Sequence, residues 1–227
     1  MDAKFVEKTM SAREEILARI RAGLGRTGDN VVQARARVDA ALKQPVAGPR
    51  PGAGEDLVAE FQQRAEVLSS TVERVAAWAD VPGTVARYLR ALGLPCRAVV
   101  SPALDGLDWL GAGLEGSARA AREGELVGST ACFCAVAETG TLMLASSPQT
   151  PATVSLLPET HVAVVPVGRM VRGMEEAWAL ARSELGSMPR AVNFISGPSR
   201  TGDIEQTIVL GAHGPYRVHI VLVEASA

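Results

Sequence analysis

The stretch STACFCAVAETGTLMLASS, residues 129–147, carries a single charge, Glu138, between two apolar runs of strand length. Gly140 supplies the turn signal between them, because glycine takes a positive φ without penalty and lets other backbone approach closely. The spacing predicts two strands around Gly140. Further strands are expected from PCRAVVS (95–101), HVAVVPVG (161–168) and AVNFI (191–195). QTIVLGAHGPYRVHIVLVE (206–224) reads as a hairpin across GAHGP. Between them lie helical patterns. EDLVAEFQQRAEVLSS (55–70) puts Leu57, Phe61, Ala65 and Leu68 on one side, PGTVARYLRALG (82–93) starts on Pro82 and stops at Gly93, and GMEEAWALARSEL (173–185) follows a strand. Alternating strands and helices, ending in adjacent strands, predict a layered α/β/α domain on a mixed sheet.

The N-terminal part reads differently. Ser11 and Glu14 have capping-box spacing, and Ile16, Leu17, Ile20 and Leu24 form a helical stripe that Gly23 or Gly25 can end. A second helix covers NVVQARARVDAAL (30–42). QPVAGPRPGAGE (44–55) then holds three prolines and three glycines, the composition of a linker or extended arm. The expected division is a helical extension with its linker over 1–55 and an α/β domain over 56–227.

The totals narrow the function classes. The 227 residues hold 23 basic and 25 acidic side chains for a net charge of −2, which gives no broad pull on nucleic acid or anionic membrane. Any anion site must be local. Three cysteines are too few for a disulfide framework, and neither a leader-type apolar segment nor a membrane-length run is present, so a cytoplasmic protein is expected. Cys132 and Cys134, two residues apart, are expected on one strand face as small core hydrophobes, with no metal site. GAGLEG (111–116) matches dinucleotide-loop glycine spacing but lacks a preceding strand and a long following helix.

Two loops could carry chemistry. In GPSRTGDIE (197–205), Ser199, Arg200 and Thr201 are donors, and Asp203 with Gln206 could start a helical turn whose free amides face the same place. The loop is either an anion pocket at the carboxyl edge of the AVNFI strand or a polar turn in which Arg200 pairs with Asp203 or Glu205. In AETGTLML (137–144), Glu138 is either a base or acceptor facing a ligand, flanked by the hydroxyls of Thr139 and Thr141, or a solvated turn residue. Glu159 and His161 alternate and could share one side. His213 and Gly214 lie in a tight Gly/Pro loop, and His219 reads as structural.

Taken in order, AETGTLML, SLLPETHVAVV, GPSRTGDIE and GAHGP resemble the LUD-domain family of the lactate-utilization protein C type, over roughly residues 55–224. The resemblance implies a fold similar to sugar-phosphate isomerases and coenzyme A transferases. It implies a non-redox component of a system that oxidises L-lactate to pyruvate, working with iron–sulfur partner proteins that carry the clusters, while this chain holds no evident cofactor. It singles out Glu138 and His213 as catalytic candidates. Thr139, Gly140, Thr141, Ser199, Arg200, Thr201, Asp203, Glu205 and Gly214 are the candidates for holding a small anionic or phosphate-bearing ligand. A nucleotide- or coenzyme A-dependent enzyme acting alone is the other reading, and the helical extension leaves room for a homo-oligomer.

Overall fold

The computed structural model describes residues 11–25, 28–43, 48, 54–202 and 209–225. The chain divides into two compact units, Met1–Pro49 and Arg50–Ala227. Most of the 44–55 linker stretch lies outside the described residues.

The first unit contributes α1 (Ala12–Gly23) and α2 (Gly28–Lys43). The capping box forms as the spacing predicts: Ser11 N–H donates to Glu14 Oε2 at 2.8 Å, and Glu14 N–H donates to Ser11 Oγ at 3.3 Å. The Ser11 N–H and the Ser11 hydroxyl, both donating to Glu14 Oε2, hold that carboxyl below its ordinary range. Ile16, Ile20 and Leu24 of α1, and Val32, Val38 and Leu42 of α2, are exposed.

The second unit runs α3 (Leu57–Val67), β1 (Thr71–Val75), α4 (Val81–Ala91), β2 (Arg97–Val100), β3 (Glu115–Ala118), β4 (Val127–Ala131), β5 (Cys134–Val136), β6 (Thr141–Ala145), α5 (Thr153–Leu156), β7 (Thr160–Pro166), β8 (Met170–Val171), α6 (Met174–Glu184), β9 (Val192–Ile195), β10 (Arg200–Thr201), β11 (Val209–Leu210) and β12 (Arg217–Val223). Six strands in the order β1-β12-β7-β4-β2-β3 form a sheet in which every pairing is parallel. A second sheet, β8-β5-β6-β9, mixes orientations. The expected α/β class holds, with a mainly parallel sheet flanked by helices. The single mixed sheet resolves into these two, with β10 and β11 pairing apart as a two-stranded ribbon.

Alternation along the central strands explains the layers. Val162 and Val164 of β7, with Val221 and Val223 of β12, pack against Val81, Val85 and Leu89 of α4. The opposite face presents Ala163, Val165, Val218, Ile220 and Leu222 to Phe61 and Ala65 of α3 and to Ala135, Leu142 and Leu144 of the second sheet. The far side of that sheet packs Cys134, Val136 and Met143 on Ala177 and Ala181 of α6.

Four expectations are corrected. The run 206–224 is no hairpin. Leu210 and Val209 pair with Arg200 and Thr201, whereas β12 lies between β1 and β7, parallel to both. RVHIVLV is buried along nearly its whole length, which is the pattern of a parallel central strand. Residues 129–147 contain three strands, because the chain changes sheets before the turn. Cys132 N–H still donates to Val164 O at 2.9 Å, while Phe133 N–H donates to Met143 O at 2.9 Å in the second sheet. Cys132 and Cys134 therefore enter different core layers and share no face. Burial pushes the Cys134 thiol up to about 11 and Cys132 higher still. Glu159 precedes β7 and is exposed while His161 is buried, so the two do not share a side.

Both sheet histidines are core residues. His161 meets Thr130 Oγ1 through Nε2 at 2.7 Å, and His219 meets Thr71 Oγ1 through Nδ1 at 2.8 Å and stacks on Tyr88 at 3.9 Å. The second ring nitrogen of each is buried with no partner among the described residues. Desolvation pushes both down to about 4, so the folded protein keeps them neutral. Their unfolded value is near 6.5. Between these pH values the unfolded chain binds more protons, so their contribution to stability is full above about pH 6.5 and is lost as pH falls toward 4. Each histidine should impose a slope of up to about 1.4 kcal/mol per pH unit in that window. Urea midpoints at pH 7 and pH 5 test this; equal midpoints would contradict it.

Candidate functional site

The motif loops gather around the C-terminal end of α3. Asp56 caps the start of that helix, accepting from Val58 N–H and Ala59 N–H at 3.0 Å each. At its other end Ser69 takes φ +69°, and Ser70 N–H donates to Ala65 O at 3.0 Å, the bonding of a Schellman turn with serine in the glycine position. Ala137–Thr139 forms a 3-10 turn closed by Gly140 at φ +63°. A Cβ on Gly140 would sit 2.5 Å from Ala65 N, and one on Gly197 would sit 2.2 Å from Leu68 O. Both motif glycines are therefore close-packing positions against α3.

Hydrogen bonds join the loops in series. Thr139 Oγ1 donates to Thr141 Oγ1 at 2.7 Å, and the buried Thr141 hydroxyl meets Ser196 Oγ at 2.7 Å. Ser199 N–H donates to Pro215 O at 2.8 Å, and Gly211 N–H donates to Ser199 O at 2.9 Å. Gly214 lies against Ser199, 3.5 Å from its Cβ to the position a Cβ would take. Glu138 is half-buried, with its N–H donating to Arg172 O at 3.0 Å. Thr201 is half-buried and His213 exposed.

Arg200 is exposed and donates through Nη2 to Ser69 Oγ and to Leu68 O at 3.5 Å. It thus supplies a cation to the carbonyl end of α3, where the helix dipole favours one. Among the described residues no hydrogen bond or ion pair connects it to Glu138 or His213. Asp203, Glu205 and Gln206 lie outside the described residues. The AVNFI strand, β9, pairs antiparallel with β6 in the second sheet. The rule that ligands collect at the carboxyl ends of a parallel sheet therefore does not reach the 197–202 loop, contrary to expectation.

That rule points elsewhere. The connection leaving β2 runs outward to β3, and the one leaving β4 runs the other way to β7, so the strand order reverses between β2 and β4. Beside this switch is a cavity of about 680 Å³, reached by Ala131 at the end of β4 and Pro166 at the end of β7. Trp78, Phe133, Ser146, Arg169 and Glu184 form its chemically distinctive lining. Arg169 follows β7. Its Nε donates to Phe133 O at 2.8 Å, and its Nη1 and Nη2 reach the two Glu184 oxygens at 2.8 Å each. The guanidinium holds the Glu184 carboxyl below its ordinary range. None of these residues stood out in the sequence, because they come from five separate segments and share no motif.

The LUD domain family model matches residues 55–223. A protein of an Exiguobacterium species named Lactate utilization protein C is 33% identical over 171 residues, covering 74% of this chain and 65% of that protein. The Bacillus subtilis protein of the same name is 39% identical over 100 residues, covering 43% of this chain and 42% of its own length. The match thus spans less than two thirds of these relatives. A crystal structure of a DUF162 family protein from Deinococcus radiodurans superposes with a TM-score of 0.58 at 24% identity, over 77% of this chain and all of the other, a likeness of fold. Among the described residues, no helix is long and apolar enough to cross a membrane.

Gly140→Ala should cost about 3 kcal/mol, from overpacking against α3 and from a side chain at positive φ. Gly106→Ala, where a Cβ would meet nothing within 4 Å, should stay within about 0.5 kcal/mol of the parent. Denaturant melts compare the two, and equal losses would remove the packing role of Gly140.

Proposed function

Because this chain belongs to the LUD domain family, we propose that it is a non-redox component of an L-lactate utilization system, contributing to oxidation of lactate to pyruvate. The observation that carries this reading is the 33% identity over 171 residues to a protein named Lactate utilization protein C. In this reading electron transfer belongs to iron–sulfur partner proteins. The chain itself contributes a binding surface for a small anionic or phosphate-bearing ligand.

The motif loops are the surface we assign to that ligand. Ser199 and Thr201 bring hydroxyls, and Gly214 lies beside Ser199. Arg200 brings the charge, already anchored by one edge of its guanidinium to Ser69 and Leu68 and carrying five donors in all. We assign Thr139, Gly140 and Thr141 to the adjoining wall and Glu138 and His213 as the titratable groups of the site. Asp203 and Glu205 complete the set on sequence grounds. An exposed arginine fixed at one edge is suited to capture an oxyanion with the other, because little side-chain freedom is left to lose.

Deleting the gene in its host should abolish growth on L-lactate while leaving growth on pyruvate intact. Affinity-tagged protein should bring down iron–sulfur proteins. Arg200→Ala, at unchanged protein level, should fail to restore growth on lactate. Normal lactate oxidation by the deletion strain would refute the role. Full rescue by Arg200→Ala would remove this loop from it.

A further inference from the structure

The cavity beside the carboxyl ends of β4 and β7 shares no residue with the motif loops. We propose that it is a second binding site, for a carboxylate carried on a flat aromatic or conjugated body, in which Arg169 receives the carboxylate and Glu184 is an internal competitor that the ligand displaces. This proposal does not rest on the lactate reading.

Arg169 is held in place independently of Glu184. Its Nε bond to Phe133 O and its position over the Phe133 ring, 4.8 Å from guanidinium carbon to ring centroid, fix the plane of the guanidinium. The two outer nitrogens are left as a fork, and a fork of this shape matches a carboxylate. Glu184 already demonstrates the fit, with one oxygen on each nitrogen at 2.8 Å. Glu184 is the last residue of α6, and its side chain is 41% exposed. It can therefore turn outward into water without leaving a buried charge behind, so exchanging it for a ligand carboxylate costs little.

The remaining surface suits a flat apolar body. Trp78 and Phe133 line the cavity together with Pro148, Pro166 and Pro189. One donor is unspent: Ser146 Oγ accepts from Ala191 N–H at 2.9 Å, which leaves its own hydrogen to donate. A volume of about 680 Å³ is far more than a three-carbon acid fills and lies in the range of sites that enclose ring-sized ligands.

Calorimetry on the full chain tests the proposal, with 2-naphthoate as the probe and the neutral 2-naphthalenemethanol as its comparison. Naphthoate should bind at one site, and the alcohol about tenfold more weakly or worse. Glu184→Gln removes the competing charge and should tighten naphthoate binding about threefold or more. Arg169→Gln should weaken it about tenfold or more, with circular dichroism confirming the fold. Because Arg169 also braces Phe133, Glu184→Gln is the deciding variant if Arg169→Gln misfolds. Naphthoate affinity that is unmeasurable, matched by the alcohol, or unchanged or weakened by Glu184→Gln overturns the assignment.

Discussion

Every residue of β7 is buried, and β12 beside it is buried over all but its first position, so both strands need a covering layer on each face. No other demand in this molecule reaches so far. One face is met by α4 together with Leu104, Trp109 and Leu114 from the segment after β2. The other is met by α3 together with a second sheet, which is why the chain leaves the parallel sheet between Cys132 and Phe133 to build β5 and β6. The small side chains Ala163, Ala135 and Ala65 on that side let three elements meet in one layer.

The position of α3 follows from this packing, and the motif loops follow from α3. Gly140 and Gly197 let backbone come within the space a Cβ would fill, and Ser69 accepts a left-handed conformation so that the helix can end there. Arg200 then finds the helix's terminal carbonyl within reach. The loops that resemble a family signature thus serve the fold and present a surface at the same time. Glycine and arginine in such a signature report close backbone approach and helix-end charge as directly as they report ligands.

The cavity at the carboxyl ends of β4 and β7 arises from the same step between sheets. Moving the chain across at residues 132–133 leaves the carboxyl ends of β4 and β7 facing the loop after β6 and the end of α6, with Arg169 and Glu184 between. An ion pair in this partly exposed position adds little to stability, since solvent screens it and ordering two long side chains costs entropy. Its orienting effect on the cavity wall is the more substantial consequence.

The sequence alone determined the α/β class, the helices α1, α2, α3, α4 and α6, the cap of α1 and the glycine stops of α1 and α4, and strands β2, β7 and β9, because periodicity, capping residues and glycines act over a few neighbours. It also determined which loops carry the family likeness. Tertiary structure decided the rest. RVHIVLV, short and apolar throughout, is compatible with a hairpin arm or a central parallel strand, and only the presence of β1 and β7 on its two edges selects the second. The two cysteines look equivalent two residues apart until the change of sheet separates them. Arg200 reads as an anion-pocket donor or as a partner of Asp203 or Glu205 until α3 is packed beneath it, and Arg169 meets Glu184 only after β7 and α6 are placed. Such pairings depend on which surfaces remain after both faces of the central strands are covered, and no local pattern records that.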